Sequence, residues 1–309
     1  MLLYSAAVPG GVQARPSLPY VVGVALLDLP DGRILEYVVA GPPAGMPLVL
    51  HHGTPGAAVG YPPAVAAAAR HGLRLVTYSR PGYGRSTARP GRTVGDAAND
   101  VAAVLDALGA GGFVTIGWSG GGPHALACAA LLAERCMGAA LVGGVAPYGV
   151  AGLDWMAGMG KENVAEFGAA LAGEAALTEF LRQAGAAVAT IKAADLAAAL
   201  GDLASDVDAA ALTGIYADYL AESFRASVSA GIDGWRDDDL AFVHDWAVPL
   251  DTSVPVSIWQ GDQDRMVPHT HGEWLAAHLP GARLHRRLGQ GHLSLFTDEL
   301  DAIVAGVVG

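Results

Sequence analysis

The chain has 309 residues, 52% hydrophobic and 16% charged, with a formal net charge of −12. That length suits one core domain carrying an insertion, and the composition excludes a disordered or fibrous chain. The shortage of bases argues against nucleic acid or an anionic membrane surface as partners, since both need a basic footprint.

At the start, Met1 to Val8 lacks a basic n-region, the first cation being Arg15, and reads as a frayed leader rather than a signal peptide. Residues 20–29 and 33–40 read as two strands joined around Asp31-Gly32, a hairpin signal. Strand and helix patterns then alternate. Strands are expected at 47–52, 73–78, 113–118 and 138–145, and helices at about 61–71, 94–108 and 121–134. Such alternation predicts a mostly parallel sheet with helices on both faces.

Beyond residue 150 the β signal disappears. Residues 151–235 are Ala-rich with apolar residues at helical spacing, as in Leu177, Phe180 and Leu181 or Leu212, Ile215, Tyr216, Tyr219 and Leu220. The α/β pattern resumes with strands near 255–260 and 282–288 and helices near 270–279 and 294–307. The division expected is a core over 1–148, a helical cap over 149–236 and the rest of the core over 237–309. Residues 151–250 hold 16 acids against 5 bases, an excess that reads chiefly as the solvated face of surface helices and alternatively as long-range steering of a cationic or amine-bearing substrate.

No apolar stretch reaches the roughly 18 residues of a membrane span, and the longest, Met137 to Val150, is broken by glycines and Pro147. Cys128 and Cys136 match no metal or redox spacing and read as core residues, which makes a cytoplasmic address the default.

The polar candidates share one position: just past the carboxyl end of a predicted strand, where open α/β sheets place their ligands. Gly117-Trp118-Ser119-Gly120-Gly121 follows Phe113-Val114-Thr115-Ile116 and opens onto a helix pattern. A strand–turn–helix of this form exposes a serine hydroxyl on a sharp turn. That hydroxyl needs a base and a group to orient the base. His292, on the Gly-flanked loop after the last strand, is the best of ten histidines for the base. Asp264 is the preferred acid, with Asp262 its competitor at a distance of two residues. Oxyanion stabilisation is assigned to the N–H groups of Gly120 and Thr54. His51 and His52 read as structural, because adjacent strand residues point to opposite faces and no carboxylate cluster lies nearby. No metal or other cofactor is expected. Trp118, Trp155 and Met159, with Met156 and Phe167, are candidates to line an apolar acyl pocket, and for Trp155, Met156, Met159 and Phe167 a place in the core of the cap fits the sequence at least as well.

This constellation resembles the α/β-hydrolase superfamily, in the branch with a helical cap and an H-G-x-P-G oxyanion loop, here His52 to Gly56. The chain order Ser119, Asp264, His292 is that of the family, and the resemblance runs from about Tyr20 to the C-terminus. The stretch Ser79 to Ser86 looks like the family's turn after its fourth strand, a structural element there. Members with Asp at the elbow are dehalogenases or epoxide hydrolases, and Ser119 argues against both. The resemblance implies a serine hydrolase of a carboxylic ester, on a small and neutral or apolar acyl substrate. The alternatives on the same triad are an aminopeptidase, a C–C bond hydrolase and a perhydrolase. A slow-turnover ligand receptor is the alternative outside enzymes. Thr54 and Gly120 stand where prolyl aminopeptidases commonly carry Gly and Trp, which weakens the peptidase reading.

Overall fold

The computed structural model describes residues 23–309. The expected leader and residues 20–22 of the first strand lie outside the described residues. Eight strands form one sheet: β1 Gly23–Asp28, β2 Ile34–Ala40, β3 Met46–His51, β4 Leu73–Tyr78, β5 Phe113–Trp118, β6 Cys136–Val142, β7 Val256–Gly261 and β8 Arg283–Arg287. Their spatial order is β1-β2-β4-β3-β5-β6-β7-β8. β1 and β2 pair antiparallel around the expected hairpin, and β2 meets β4 antiparallel. All later pairs are parallel.

Six helices flank the sheet: α1 Pro62–Arg70, α2 Ala97–Ala107, α3 Gly121–Leu131, and, after the insertion, α10 His269–His278, α11 His292–Asp298 and α12 Leu300–Val307. Alternate side chains of a strand point to opposite faces, so a sheet covered on both sides must be apolar nearly throughout. β5 fits this requirement, with all six residues buried. One face packs against Val101, Val104 and Leu105 of α2 and Leu126 of α3. The other packs against Ala64 and Val65 of α1 and Ile303, Val304 and Val307 of α12. The helix expected over 294–307 is two helices that meet at Glu299, and the first begins at His292 itself.

Between β6 and β7 lie α4 Lys161–Ala172, α5 Glu174–Val188, α6 Leu196–Leu200, α7 Asp206–Ala211, α8 Gly214–Ser227 and α9 Asp233–Val243. No single helix among the described residues is long and apolar enough to cross a membrane. The expected boundary at 236/237 falls inside α9. That helix belongs to both parts, because its Asp238 is anchored in the core.

Asp238 is fully buried and receives two arginines from the segment after β4. Arg80 Nη2 lies 2.6 Å from one carboxylate oxygen and Arg92 Nη1 2.7 Å from the other. Tyr83 donates its hydroxyl to the same carboxylate at 2.8 Å. The acid excess of the insertion is therefore not all solvated: Asp208, Asp237, Asp238 and Asp239 are buried. Burial alone would raise the Asp238 carboxyl, but Arg80 and Arg92 outweigh it and hold it well below the usual carboxylate range.

Removing one member of such a pair leaves a buried charge without compensation. Asp238→Ala should therefore lower the free energy of unfolding by about 3–5 kcal/mol, read from the urea midpoint. Because the folded pKa is depressed, the stabilisation is present above the unfolded value and is lost only as pH falls through the folded one. Asp301→Ala, which removes an exposed partner of Arg70, should leave the midpoint nearly unchanged.

Candidate active site

Ser119 has φ +57°, in the left-handed region that non-glycine residues rarely enter. The two glycines of the motif are steric requirements of that turn. A Cβ on Gly117 would collide with the carbonyl oxygen of Gly121, and one on Gly121 with that of His51. β3, β5 and α3 converge there so closely that only backbone fits. The register of His51 opposite Gly117 then sets the loop after β3 beside Ser119.

His292 opens α11 and is fully buried. Its Nδ1 lies 2.8 Å from Oδ2 of Asp264, an acceptor, so Nδ1 carries the proton and donates. Its Nε2 has no partner among the described residues. Asp264 is held by the turn it sits on: Oδ1 accepts from the N–H groups of Met266 at 2.9 Å and Val267 at 2.8 Å, and Gln260 donates to Oδ2. Asp262 instead accepts from the Gly289 N–H at 2.8 Å, tying the loop after β7 to the loop after β8. Burial opposes a charge on His292. The charge of Asp264, its hydrogen bond and the charge of Asp208 outweigh burial and raise the imidazole above its ordinary value.

Asp208 of α7 is a residue that sequence reasoning missed. Fully buried, it accepts from the N–H groups of His292, Leu293 and Ser294 at 3.0, 2.7 and 2.9 Å. An α-helix leaves its first N–H groups unpaired and carries partial positive charge there, and a carboxylate answers both. The insertion thus caps the helix that presents His292. Asp208 lies 84 residues from His292, and an Asp in the first turn of a short Ala-rich helix, beside a second Asp at 206, gives no signal of such a contact.

The loops of Thr54 and Gly120 are also tied down by hydrogen bonds. Arg80 donates to the carbonyls of His52 at 2.7 Å and Gly53 at 3.0 Å and to the Thr54 hydroxyl at 3.0 Å. Thr54 in turn donates its hydroxyl to Asp238 at 2.8 Å. His124 Nδ1 donates to the Gly120 carbonyl at 2.8 Å, while its Nε2 stands 3.6 Å from Asp238. Both peptides are therefore fixed through the buried ion pair, and the turn read as structural does its work on this loop. His51 and His52 are buried, and His52 Nδ1 bonds the Gly53 carbonyl. Burial and the nearby Arg80 lower His51 to about 3, so it is neutral at pH 7.

Ser119, Thr54, Gly120, Trp118 and His292 line one cavity of about 320 Å3, walled by Phe167, Phe180, Val188, Ile191, Leu203 and Phe224. Trp118 also donates its indole N–H to the His292 carbonyl at 3.3 Å. Trp155 and Met159 do not line this cavity, contrary to expectation, and neither does Met156. The Trp155 indole donates to the Ala146 carbonyl at 2.6 Å, and its ring packs edge-on against Phe167 at 4.6 Å. Trp155 and Met159 belong to the core cluster, and Phe167 presents the apolar surface instead. Periodicity marks such residues as buried without telling cavity from core.

Comparison with known proteins agrees with this architecture. A family profile described as the alpha/beta hydrolase fold matches residues 46–299. Over 144 residues the chain is 38% identical to a non-heme chloroperoxidase of Streptomyces lividans, covering 46% of this chain and 52% of that one. It thus spans about half the length of that curated relative. Solved structures share the fold at lower identity. A bromoperoxidase from Bacillus anthracis superposes with TM-score 0.66 at 21% identity, over 92% of this chain and 98% of that one. An esterase from Rhodococcus sp. ECU1013 gives TM-score 0.59 at 22% identity, over 93% and 99%. The chain belongs to the alpha/beta hydrolase fold family.

Proposed function

We propose that the protein is a serine hydrolase cleaving a carboxylic ester through an acyl-enzyme formed on Ser119. The observation that carries this reading is the 2.8 Å bond from His292 Nδ1 to Asp264, which leaves Nε2 unpartnered in the cavity that Ser119 lines. In this mechanism Ser119 Oγ attacks the acyl carbon as its proton passes to His292 Nε2. The carbonyl oxygen becomes an oxyanion held by the Thr54 and Gly120 N–H groups. Collapse breaks the ester C–O bond, and the imidazolium returns its proton to the leaving alcohol. Water then gives its proton to His292 and its oxygen to the acyl carbon, and the acid leaves with Ser119 restored.

Asp264 keeps the imidazole in the accepting tautomer and stabilises its charged form. The apolar walls suit an acyl chain. The peroxidase names of two relatives favour a second reaction on the same acyl-enzyme, with hydrogen peroxide in place of water as the acceptor. A cytoplasmic address is part of the reading and rests on two buried free thiols, Cys128 and Cys136.

A fluorophosphonate probe should label the native protein once, and Ser119→Ala should abolish labelling while reducing ester turnover by on the order of 10⁴–10⁶. Labelling that persists in the alanine variant moves the nucleophile elsewhere. Asp264→Asn should reduce turnover by about 10⁴, because the amide favours the wrong imidazole tautomer. Asp262→Asn should have a much smaller effect, and the opposite ranking would reassign the acid.

The base must be neutral to accept a proton, so kcat/KM should fall as pH drops through the raised pKa of His292, with a midpoint above its ordinary 6.5. Asp208→Asn removes one of the charges that raise it and should move this acid limb to lower pH. A profile unmoved by that substitution would separate Asp208 from the titration of His292.

A further inference from the structure

Besides Ser119, Thr54 and His292, three residues with carboxyl groups line the otherwise largely apolar cavity. Glu162 and Glu166 stand one turn apart on α4, and Asp239 comes from α9. Asp239 is fully buried, and neither of its carboxyl oxygens has a hydrogen-bond donor among the described residues. Glu166 accepts the Trp235 indole N–H at 2.6 Å, and one oxygen of Glu162 is buried without a partner.

The contrast along α9 is informative. Asp237 has Arg236, and Asp238 has Arg80 and Arg92, but no arginine, lysine or histidine among the described residues forms an ion pair with Asp239 or Glu166. Burial, together with the charge and contact of Glu166, pushes Asp239 well above the usual carboxylate range, and burial raises Glu166 as well. The two carboxyls face a pocket walled by Phe167, Phe180 and Phe224. An uncompensated carboxylate in such surroundings is costly, and neutral acyl chains would be served better by apolar residues. A cation entering the cavity would offset that cost, and the aromatic faces would attract one as well.

The position relative to the reaction follows from helix geometry. Phe242 lies three residues after Asp239 on α9, a rise of about 4.5 Å. The tip of its ring is 3.0 Å from where a Cβ of Gly120 would stand. Asp239 and Phe242 therefore present neighbouring parts of α9 to the cavity that Gly120 also lines. We propose that Glu166 and Asp239, with Glu162 beside them, form a subsite for a protonated amine on the substrate. The preferred substrate is then an ester or amide that carries an ammonium group. The subsite itself stands on these carboxyls, and its link to catalysis rests on the Ser119 reading above.

Two measurements on the full-length protein test this. In calorimetry, benzylammonium should bind at least 10-fold more tightly than benzyl alcohol, and Asp239→Asn or Glu166→Gln should bring the two toward parity. Equal affinities in the native protein, or an ammonium preference untouched by both variants, would overturn the subsite. In turnover, the β-alanyl p-nitrophenyl ester should exceed the isosteric butanoyl ester by at least 10-fold in kcat/KM after correction for buffer hydrolysis. That ratio should collapse toward one in either variant. Turnover of both esters at equal kcat/KM overturns the amine subsite and leaves the ester reading standing. Selective ammonium binding with no turnover of either ester does the reverse.

Discussion

One buried carboxylate, Asp238, holds the proposed reaction centre together. It takes charge from Arg80 and Arg92, a hydroxyl from Thr54 and another from Tyr83, and it faces His124, which grips the Gly120 carbonyl. Taking these ions out of water is costly, and the cost is offset only when geometry is good and the remaining donors are satisfied. The arrangement therefore has one acceptable form. In that form the peptides of Thr54 and Gly120, which come from loops after different strands, are oriented by a common anchor. Rigid donors of this kind are what stabilisation of a developing oxyanion requires.

The insertion is accordingly not a lid laid over a finished core. α9 supplies Asp238, α7 supplies the Asp208 carboxylate that caps the helix of His292, and α4 supplies Phe167 and Glu166 to the cavity wall. Two of these three contributions are fully buried charges whose partners lie in the core, so the insertion and the core fix each other's positions. Apolar packing alone would allow sliding, but directional bonds to carboxylates do not.

The parts legible in the sequence are those with a local cause. Gly117 and Gly121 announce the elbow because the turn has no room for side chains, and the ends of the predicted strands single out Ser119, Asp264 and His292. Asp264 and Asp262 are separable there only by preference, since both sit on one short loop and their targets lie at 289 and 292. Asp208, Arg80 and Asp238 are not legible at all as a set, because they act across 84 and 158 residues of chain. The run Asp237-Asp238-Asp239 reads as surface charge in the sequence. Three adjacent acids point around three sides of a helix, and here each side meets a different environment: Arg236, the core arginines, and the cavity.

The cap on α11 bears on how this scaffold can diversify. Enzymes with a core and an insertion invite the idea of modular exchange, in which a new roof is grafted onto an old reaction centre to change substrate. In this chain the segment between β6 and β7 also holds the N–H groups of His292, Leu293 and Ser294, so a transplanted segment lacking the Asp208 carboxylate would leave the start of α11 uncapped. Recombination is thereby confined to joints that carry Asp208 and Asp238 along with their receptors, while the walls between them, such as Phe180 and Ile191, stay free to vary. The cavity wall can therefore change residue by residue, whereas the segment as a unit is bound to its core by these two carboxylates.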